Sequence, residues 1–183
     1  ESVLTEDEKA TRLHGRFFHL RGIVYKDYTP SVHERDFEYT YPDPVIAVLD
    51  PHDRIPHHVI WAFIDRNDWL FIDREVVMEG TVEELSRAIL STEAMAGYKM
   101  RKRLIDPNFG RKPLITTGRT VMDELAHPPY PVLFTEANDD KSAGILKVKD
   151  YLKFKKDQQL SLTNSPKLFV HPGRCHKTIK SLR

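Results

Sequence analysis

The sequence predicts an α/β domain built on a mixed sheet of about five strands flanked by helices. Apolar runs of strand length recur along the chain, the first at residues 45–49. Helix-capping sequences stand between the later runs, so strands and helices alternate after the first three strands. The composition agrees, because 183 residues with 40% hydrophobic and 30% charged side chains suit one soluble globular domain. No apolar run is long enough for a membrane span, and a single cysteine, Cys175, excludes a disulfide framework.

The first 44 residues are interpreted as a linker that leads in from a preceding domain. Thr5-Glu6-Asp7-Glu8 has the pattern of a capping box and predicts a short helix to about His14. Residues 15–44 mix aromatic residues with prolines and turn formers, which favours irregular structure. The chain begins with Glu1 rather than Met, so we expect it to be a piece of a longer protein. The main domain is predicted over residues 45–183.

The remaining elements follow from apolar runs and from the residues that end them. Strands are predicted at residues 45–49, 58–64, 69–78, 103–105 and 132–136. Helices are predicted at residues 81–96, 120–126, 139–154 and from 174 onward. Residues 160–162 and 167–170 are expected to pair as a hairpin. Trp61 and Trp69 lie on strands and are expected in the core.

The order of the elements brings two aspartates to one edge of the sheet. A helix follows the third strand, and a right-handed crossover places the fourth strand beside the first and parallel to it. Asp50 and Asp106 are each the first residue after one of these strands, and each precedes a proline. Ligands of open α/β sheets gather at the carboxyl ends of such strands. Two carboxylates there favour a divalent cation such as Mg²⁺ or Mn²⁺, although Asp-Pro also serves simply to end a strand.

Charge is distributed unevenly along the chain. Residues 141–183 hold 11 Lys and Arg against two acids, a net charge of +9, whereas the remainder carries −8. A basic end on a carboxylate-rich body fits a metalloprotein that binds a polyanion, and a solvated basic surface is the alternative. The candidate phosphate contacts lie around Asp106 and on the penultimate helix: Lys102, Arg103, Arg111, Lys112, Lys141 and Lys147.

The histidines and the cysteine give weaker signals. His52, His57 and His58 lie close together, but they lack the cysteine or second histidine pair of a zinc motif. His52 is close to Asp50, so contact with a metal-bound water is one interpretation of it, and a plain surface position is the favoured one. Cys175 has no evident His or Asp partner for nucleophilic catalysis and is interpreted as a small buried hydrophobe.

Motifs spread over nearly the whole chain occur in an order that is more specific than any one of them. They are VIAVLDPHDR (45–54), LIDP (104–107), NDDKSAGILKVK (138–149), KLFV (167–170) and CHKTIKSL (175–182). In this order they resemble the C-terminal nuclease domain of large terminase subunits from tailed phages. RLHGRF (12–17) and GIVY (22–25) resemble that family's connection from its ATPase domain.

The resemblance implies an RNase H-like fold of the RuvC/integrase type. It also implies an endonuclease that cuts concatemeric DNA with two divalent ions, Mg²⁺ or Mn²⁺. Asp50 and Asp106 match the first and second metal-binding aspartates of the family. The family's third aspartate lies on a C-terminal helix; no matching motif occurs here, so this ligand is expected beyond Arg183. Asp139 or Asp140 offers another carboxylate, but capping of the following helix is the simpler role.

The resemblance further implies partners. These are double-stranded DNA, an ATPase domain upstream in the same protein, the portal protein and the small terminase subunit, with the host cytoplasm as the location. The chain has no phosphate-loop motif, so ATP hydrolysis is expected upstream of Glu1. Little sequence preference in cleavage is expected, because no helix has the pattern of a base reader. Two alternatives stay open: a DNA-gripping or portal-docking module that is catalytically silent, and a resolvase- or transposase-like nuclease.

Overall fold

The computed structural model describes residues 24–52 and 55–183 and confirms the α/β class. The strands are β1 (Val45–Asp50), β2 (His57–Ile64), β3 (Leu70–Met78), β4 (Met100–Ile105), β5 (Thr135–Glu136) and β6 (Leu168–Val170). The helices are α1 (Pro30–His33), α2 (Val82–Ala96), α3 (Pro107–Gly110), α4 (Val121–Leu125), α5 (Lys141–Leu152) and α6 (His176–Leu182). The six described strands form one mixed sheet in the order β5-β4-β1-β2-β3-β6.

Five of the six described strands run in the same direction. β2 is antiparallel to β1 and β3, whereas β4 pairs parallel with β1, β5 with β4 and β6 with β3. The fourth strand therefore lies beside the first and parallel to it, as the crossover rule predicts. The carboxyl ends of the five strands that share a direction lie along one border of the sheet, which runs across the strands. We call this border the carboxyl edge.

The long helix α2 forms where the sequence predicts it, and its ends show why. The Thr81 hydroxyl accepts a hydrogen bond from the Glu84 N–H at 3.2 Å, and the Glu84 carboxylate accepts one from the Thr81 N–H at 2.8 Å. Gly97 ends the helix in the left-handed conformation, at φ 63°. Leu85 and Ile89 are fully buried in one core with residues of β1, β2 and α4, so α2 and α4 cover the first face of the sheet.

The opposite face is covered around β3 and β6 by α5 and α6. Leu152 of α5 and Leu182 of α6 join a second core with Leu168 and Val170 of β6. Cys175 is buried in this core, as expected, and its thiol donates to the Ile72 carbonyl at 3.5 Å. The sheet is therefore sandwiched between two helical layers, and its carboxyl edge is left for the site.

Several element predictions are wrong in detail. Residues 160–162 and 167–170 do not pair as a hairpin; Leu168–Val170 is instead β6, the sixth described strand of the sheet, and it is parallel to β3. The reason is Asn164, whose buried amide donates to the carbonyls of Lys155, Gln158 and Gln159 and closes this loop on itself.

Element boundaries also shift around the site. The strand predicted at 132–136 keeps only its last two residues, and β4 begins at Met100 instead of residue 103. The short helix α3 follows β4 directly, because Asp106 caps it and Pro107 supplies its first residue. The predicted helix near the N-terminus, at residues 5–14, lies outside the described residues.

Residues 24–44 pack on the sheet. The ring of Phe37 meets those of Phe63 and Phe71 at centroid distances of 5.9 and 4.9 Å. His33 of α1 is fully buried, and its Nε2 makes a hydrogen bond with the Leu152 carbonyl at 3.0 Å. The division of the chain at residue 44 stays a prediction. No helix within the described residues is both long and apolar enough to cross a membrane.

Candidate functional site

Asp50 and Asp106 lie on neighbouring strands at the carboxyl edge. Leu49 and Ile105 are paired in the parallel ladder between β1 and β4, so each aspartate is the next residue along its strand. The Asp106 N–H donates to the Leu49 carbonyl at 3.0 Å and continues the ladder to this point. The two residues, which we call the carboxylate pair, are therefore brought together as the sequence predicts.

The Asp50 carboxylate is open to solvent and is contacted by a histidine. Its side chain is 53% exposed, and Oδ2 lies 3.1 Å from His52 Nε2. The His52 ring packs edge-on against Phe109, at 5.1 Å between centroids, and its backbone N–H donates to His57 Nδ1 at 3.1 Å. His52 thus links the end of β1 to α3, the helix that Asp106 starts.

Asp106 is held by the first turn of α3. Its Oδ1 accepts hydrogen bonds from the Asn108 backbone N–H at 3.1 Å and from the Asn108 amide at 3.0 Å. Within the described residues, the second oxygen of each carboxylate of the pair has no hydrogen-bond partner. Each aspartate therefore has one oxygen fixed by the protein and one available to a ligand.

A histidine on β2 and a glutamate on β3 lie beside Asp50 on the neighbouring strands. His58 is the residue directly opposite Asp50 in the antiparallel ladder of β1 and β2. Its Nε2 lies 3.0 Å from Glu75 Oε2 on β3, and the two side chains are only 18% and 7% exposed. The sequence analysis missed Glu75; the available signal was the charged run Asp73-Arg74-Glu75 in the middle of an otherwise apolar strand.

Glu75 also receives three donors from the start of α6. The backbone N–H of Lys177 donates at 2.6 Å, and the N–H and hydroxyl of Thr178 donate at 2.9 and 2.7 Å. Burial acts to raise the pKa of Glu75, but hydrogen bonds from Thr178, Lys177 and His58 outweigh it and hold the pKa below its usual range. Glu75 is therefore a carboxylate near neutral pH.

The end of β5 carries a further acid that the sequence analysis also missed. Both nitrogens of the Arg111 guanidinium fork bind the Glu136 carboxylate, and this pairing lowers the pKa of Glu136. Ile105 and Glu136 are paired in the ladder, so the contact ties the loop after α3 to β5. Both carboxylate oxygens of Glu136 are therefore bound to Arg111.

The donor set at the carboxyl edge fits a divalent cation that retains most of its water. Carboxylate oxygens are the ligands that Mg²⁺ and Mn²⁺ prefer, and the pair offers two of them. Among residues 24–52 and 55–183, no group of three or more His, Cys, Asp or Glu side chains is close enough to hold a metal ion. The carboxylates of Asp50 and Asp106 are the candidate ligands that this part of the chain places at the edge.

The structure places the predicted basic residues in different environments. Arg103 donates to Glu93, a buried carboxylate that also accepts from the Trp61 indole at 3.2 Å. Lys102 is exposed on β4, four residues before Asp106. Arg111 is paired with Glu136, and the Lys112 ammonium lies 4.9 Å from the Phe109 ring.

The two predicted phosphate contacts on α5, Lys141 and Lys147, are separated from each other. Lys141 begins the helix and is exposed. Lys147 lies 4.7 Å from the Tyr151 ring and acts electrostatically on Asp68, in the turn between β2 and β3. That turn is at the opposite edge of the sheet from Asp50. Asp140 caps α5, since its Oδ1 accepts from the Ala143 N–H at 2.9 Å.

Comparison with known proteins gives structural likeness without sequence likeness. No protein-family model and no curated protein matches the chain. The nuclease domain of the P22 large terminase does match in structure, with a TM-score of 0.60 over 86% of this chain and 76% of that one, at 15% identity. The chain has the RNase H-like fold of a terminase nuclease domain.

A longer protein also matches the chain in structure. The large terminase of the thermophilic bacteriophage D6E covers 98% of this chain at 12% identity, with a TM-score of 0.62. The same protein solved with ATP-gamma-S gives a TM-score of 0.63. The match takes up 44% of the D6E protein, so the present chain spans less than half the length of that terminase.

Proposed function

We propose that this chain is the nuclease domain of a viral genome-packaging terminase, an endonuclease that hydrolyses double-stranded DNA with divalent cations. The observation that carries the proposal is the carboxylate pair, Asp50 and Asp106, on adjacent parallel strands at the carboxyl edge. The terminase nuclease fold supports the substrate class. Ligands of open α/β sheets bind at this edge, which supports the location.

Asp50 and Asp106 would hold the cations, Mg²⁺ or Mn²⁺, through their carboxylate oxygens. When bound, two such ions activate a water molecule and stabilise the leaving 3′ oxygen in phosphodiester hydrolysis. The chain's own contribution is positioning. Asn108 fixes one oxygen of Asp106, and His52 contacts one oxygen of Asp50, so the remaining oxygens present the negative charge that a cation requires.

DNA would lie across the carboxyl edge and be held through its phosphates. Lys112, on the loop that follows α3, and Lys141, at the start of α5, are the predicted contacts that extend from this edge. Phosphate contacts of this kind carry no sequence information, so we expect cleavage with little sequence preference.

The proposed partners follow from the longer relatives. The D6E large terminase was solved with ADP and with ATP-gamma-S, and the present chain spans less than half of that protein. We therefore propose an ATPase domain elsewhere in the same protein as the neighbour of this domain. The portal protein and the small terminase subunit are proposed as partners by the same resemblance.

The test is nicking of supercoiled plasmid in Mn²⁺ by the chain and by Asp50→Asn and Asp106→Asn. We expect each substitution to slow nicking by roughly 100-fold or more, because cation binding contributes several kcal/mol to such reactions. Asp157→Asn is the matched control, since Asp157 is exposed and distant in sequence from the edge. Nicking that survives both site substitutions would refute the proposed site.

The second candidate is a DNA-gripping module that does not cut. It is favoured by the absence of a third ligand beside the carboxylate pair within the described residues. A grip through phosphates predicts DNA binding that is unchanged by Asp50→Asn and falls steeply with salt. Metal-dependent nicking by the chain would exclude it.

A further inference from the structure

Four adjacent strands carry a row of polar residues across one face of the sheet at the carboxyl edge. The row runs from Asp106 after β4, through Asp50 of β1 and His58 of β2, to Glu75 of β3. Asp50 and His58 are direct cross-strand partners, so their side chains project from the same face. Ile60 pairs with Glu75, which makes Glu75 the diagonal neighbour of His58. The row thus continues the carboxylate pair by two residues.

Glu75 fixes which ring nitrogen of His58 is available. An ionised carboxylate only accepts hydrogen bonds, so His58 Nε2 must carry the proton in the 3.0 Å contact with Glu75. Glu75 is itself held by three donors from α6 and cannot turn away without losing them. In the neutral imidazole, Nδ1 is then an acceptor, and it has no hydrogen-bond partner within the described residues. A carboxylate that orients a histidine in this way is a common arrangement beside metal ions.

We propose that His58 is a positioning residue of the site: its Nδ1 accepts a hydrogen bond from a water molecule in the hydration shell of a divalent cation held by Asp50 and Asp106. The inference rests on the proposed function, since it presupposes a cation at the carboxylate pair. It adds a residue that the carboxylate pattern does not include and gives a role to the Glu75 network.

The need for such an acceptor follows from the small number of protein ligands. A cation with two carboxylates keeps several water molecules, and Mg²⁺ in particular gives them up reluctantly. Those waters are strong hydrogen-bond donors and require acceptors near the site. His58 lies opposite Asp50, is only 18% exposed and is held from behind by Glu75, so it offers a fixed acceptor with little freedom to lose.

The test compares Mn²⁺ affinity, measured by electron paramagnetic resonance titration, in the chain, Asp50→Asn, His58→Gln and His127→Gln. Glutamine retains a donor for Glu75 near the position of Nε2 but has no atom in place of Nδ1. We expect His58→Gln to weaken Mn²⁺ binding by about 10- to 100-fold, the usual effect of removing an outer-shell partner, with an unchanged melting temperature. His127 is exposed beyond α4 and serves as the matched control.

A purely structural role for His58 predicts the opposite result, because glutamine preserves the Glu75 contact. If Asp50→Asn abolishes Mn²⁺ binding and His58→Gln binds within twofold of the parent chain, the inference is overturned and the proposed function stands. If the parent chain does not bind Mn²⁺, both fall. Should His58→Gln not fold, His58→Asn provides the second measurement. It keeps a polar group near Nδ1 and is expected to bind Mn²⁺ more tightly than His58→Ala, whereas equal binding by the two would overturn the inference.

Discussion

Two buried carboxylates, Glu93 and Asp73, are matched by partners from other elements of the fold. Glu93 on α2 meets Arg103 on β4 and the indole of Trp61 on β2. Asp73, 1% exposed, accepts hydrogen bonds from the Tyr98 hydroxyl and from Arg174 at 2.8 Å. These charged residues therefore stabilise the fold. Proximity to a candidate site does not by itself show that a charged residue belongs to the site.

Arg103 shows this most clearly, because the sequence pattern assigns it to DNA. Arg103→Ala would leave the buried Glu93 carboxylate without its cation, and we expect a loss of about 2–4 kcal/mol in the free energy of unfolding. Arg101→Ala, on an exposed position of the same strand, should change it by less than about 0.5 kcal/mol. Urea denaturation measures both. Equal stabilities of the two variants would show that the Glu93 contact contributes little.

The Glu75 network gives a prediction about pH. The pKa of Glu75 is lower in the folded chain than its ordinary value, so the network stabilises the fold above that value, about 4.3, and the stabilisation is lost as the pH falls through the folded pKa. Glu75→Gln should therefore cost about 2 kcal/mol at pH 7 and progressively less below about pH 4.5.

Urea unfolding of the parent chain and Glu75→Gln between pH 3 and pH 7 measures this difference. Glu79→Gln is the control, because Glu79 is exposed just after the end of β3, and it should lie close to the parent chain throughout. A difference between the parent chain and Glu75→Gln that stays constant down to pH 3 would contradict the assignment of Glu75 as the ionised centre of the network.

Elements with local signals could be predicted from the sequence, and elements with distant partners could not. The Thr81 and Glu84 capping box and Gly97 lie within or next to α2, so they set its ends without reference to the rest of the chain. β6 is different, because its pairing with β3 and the closure of the preceding loop by Asn164 depend on tertiary contacts. An apolar tetrapeptide beside turn residues has the same sequence pattern whether it pairs in a local hairpin or with a distant strand.

The same distinction applies to the candidate site. Asp50 and Asp106 could be paired from the sequence, because the crossover rule alone brings their strands together. His58 and Glu75 could not be added, because their neighbourhood depends on strand register and on donors from Thr178, far along the chain. His52 could be placed near Asp50 from its position in the sequence, but nothing in the sequence distinguished His58 as the cross-strand partner of Asp50.

Capping assigns Asp140 to α5, and this gives a prediction at the scale of the helix. Asp140→Ala should cost about 1 kcal/mol of stability, whereas Asp140→Asn should cost almost none, because asparagine caps as well as aspartate. Neither substitution should alter Mn²⁺ affinity. A loss of Mn²⁺ binding in Asp140→Asn, with the fold intact, would instead make Asp140 a ligand.

At the scale of the whole molecule, the opposite charges of the two parts of the sequence are partly paired with each other. Lys167 binds Asp68 at 2.8 Å, Arg174 binds Glu38 as well as Asp73, and Arg183 binds Glu34 at 2.8 Å. These contacts join the basic end to earlier elements of the fold. The +9 of residues 141–183 is therefore not all available to a polyanion, and DNA contact is better sought at the carboxyl edge than along the whole basic end.

The account depends on a divalent cation at the carboxylate pair, and the most direct measurement is a crystal structure of the chain soaked in Mn²⁺ with anomalous diffraction data. We expect an anomalous peak bounded by Asp50 and Asp106, with ordered water reaching toward His58, and no peak there in Asp50→Asn. Saturating Mn²⁺ that gives no peak at this edge, or peaks only at other acidic residues, would contradict the proposed site.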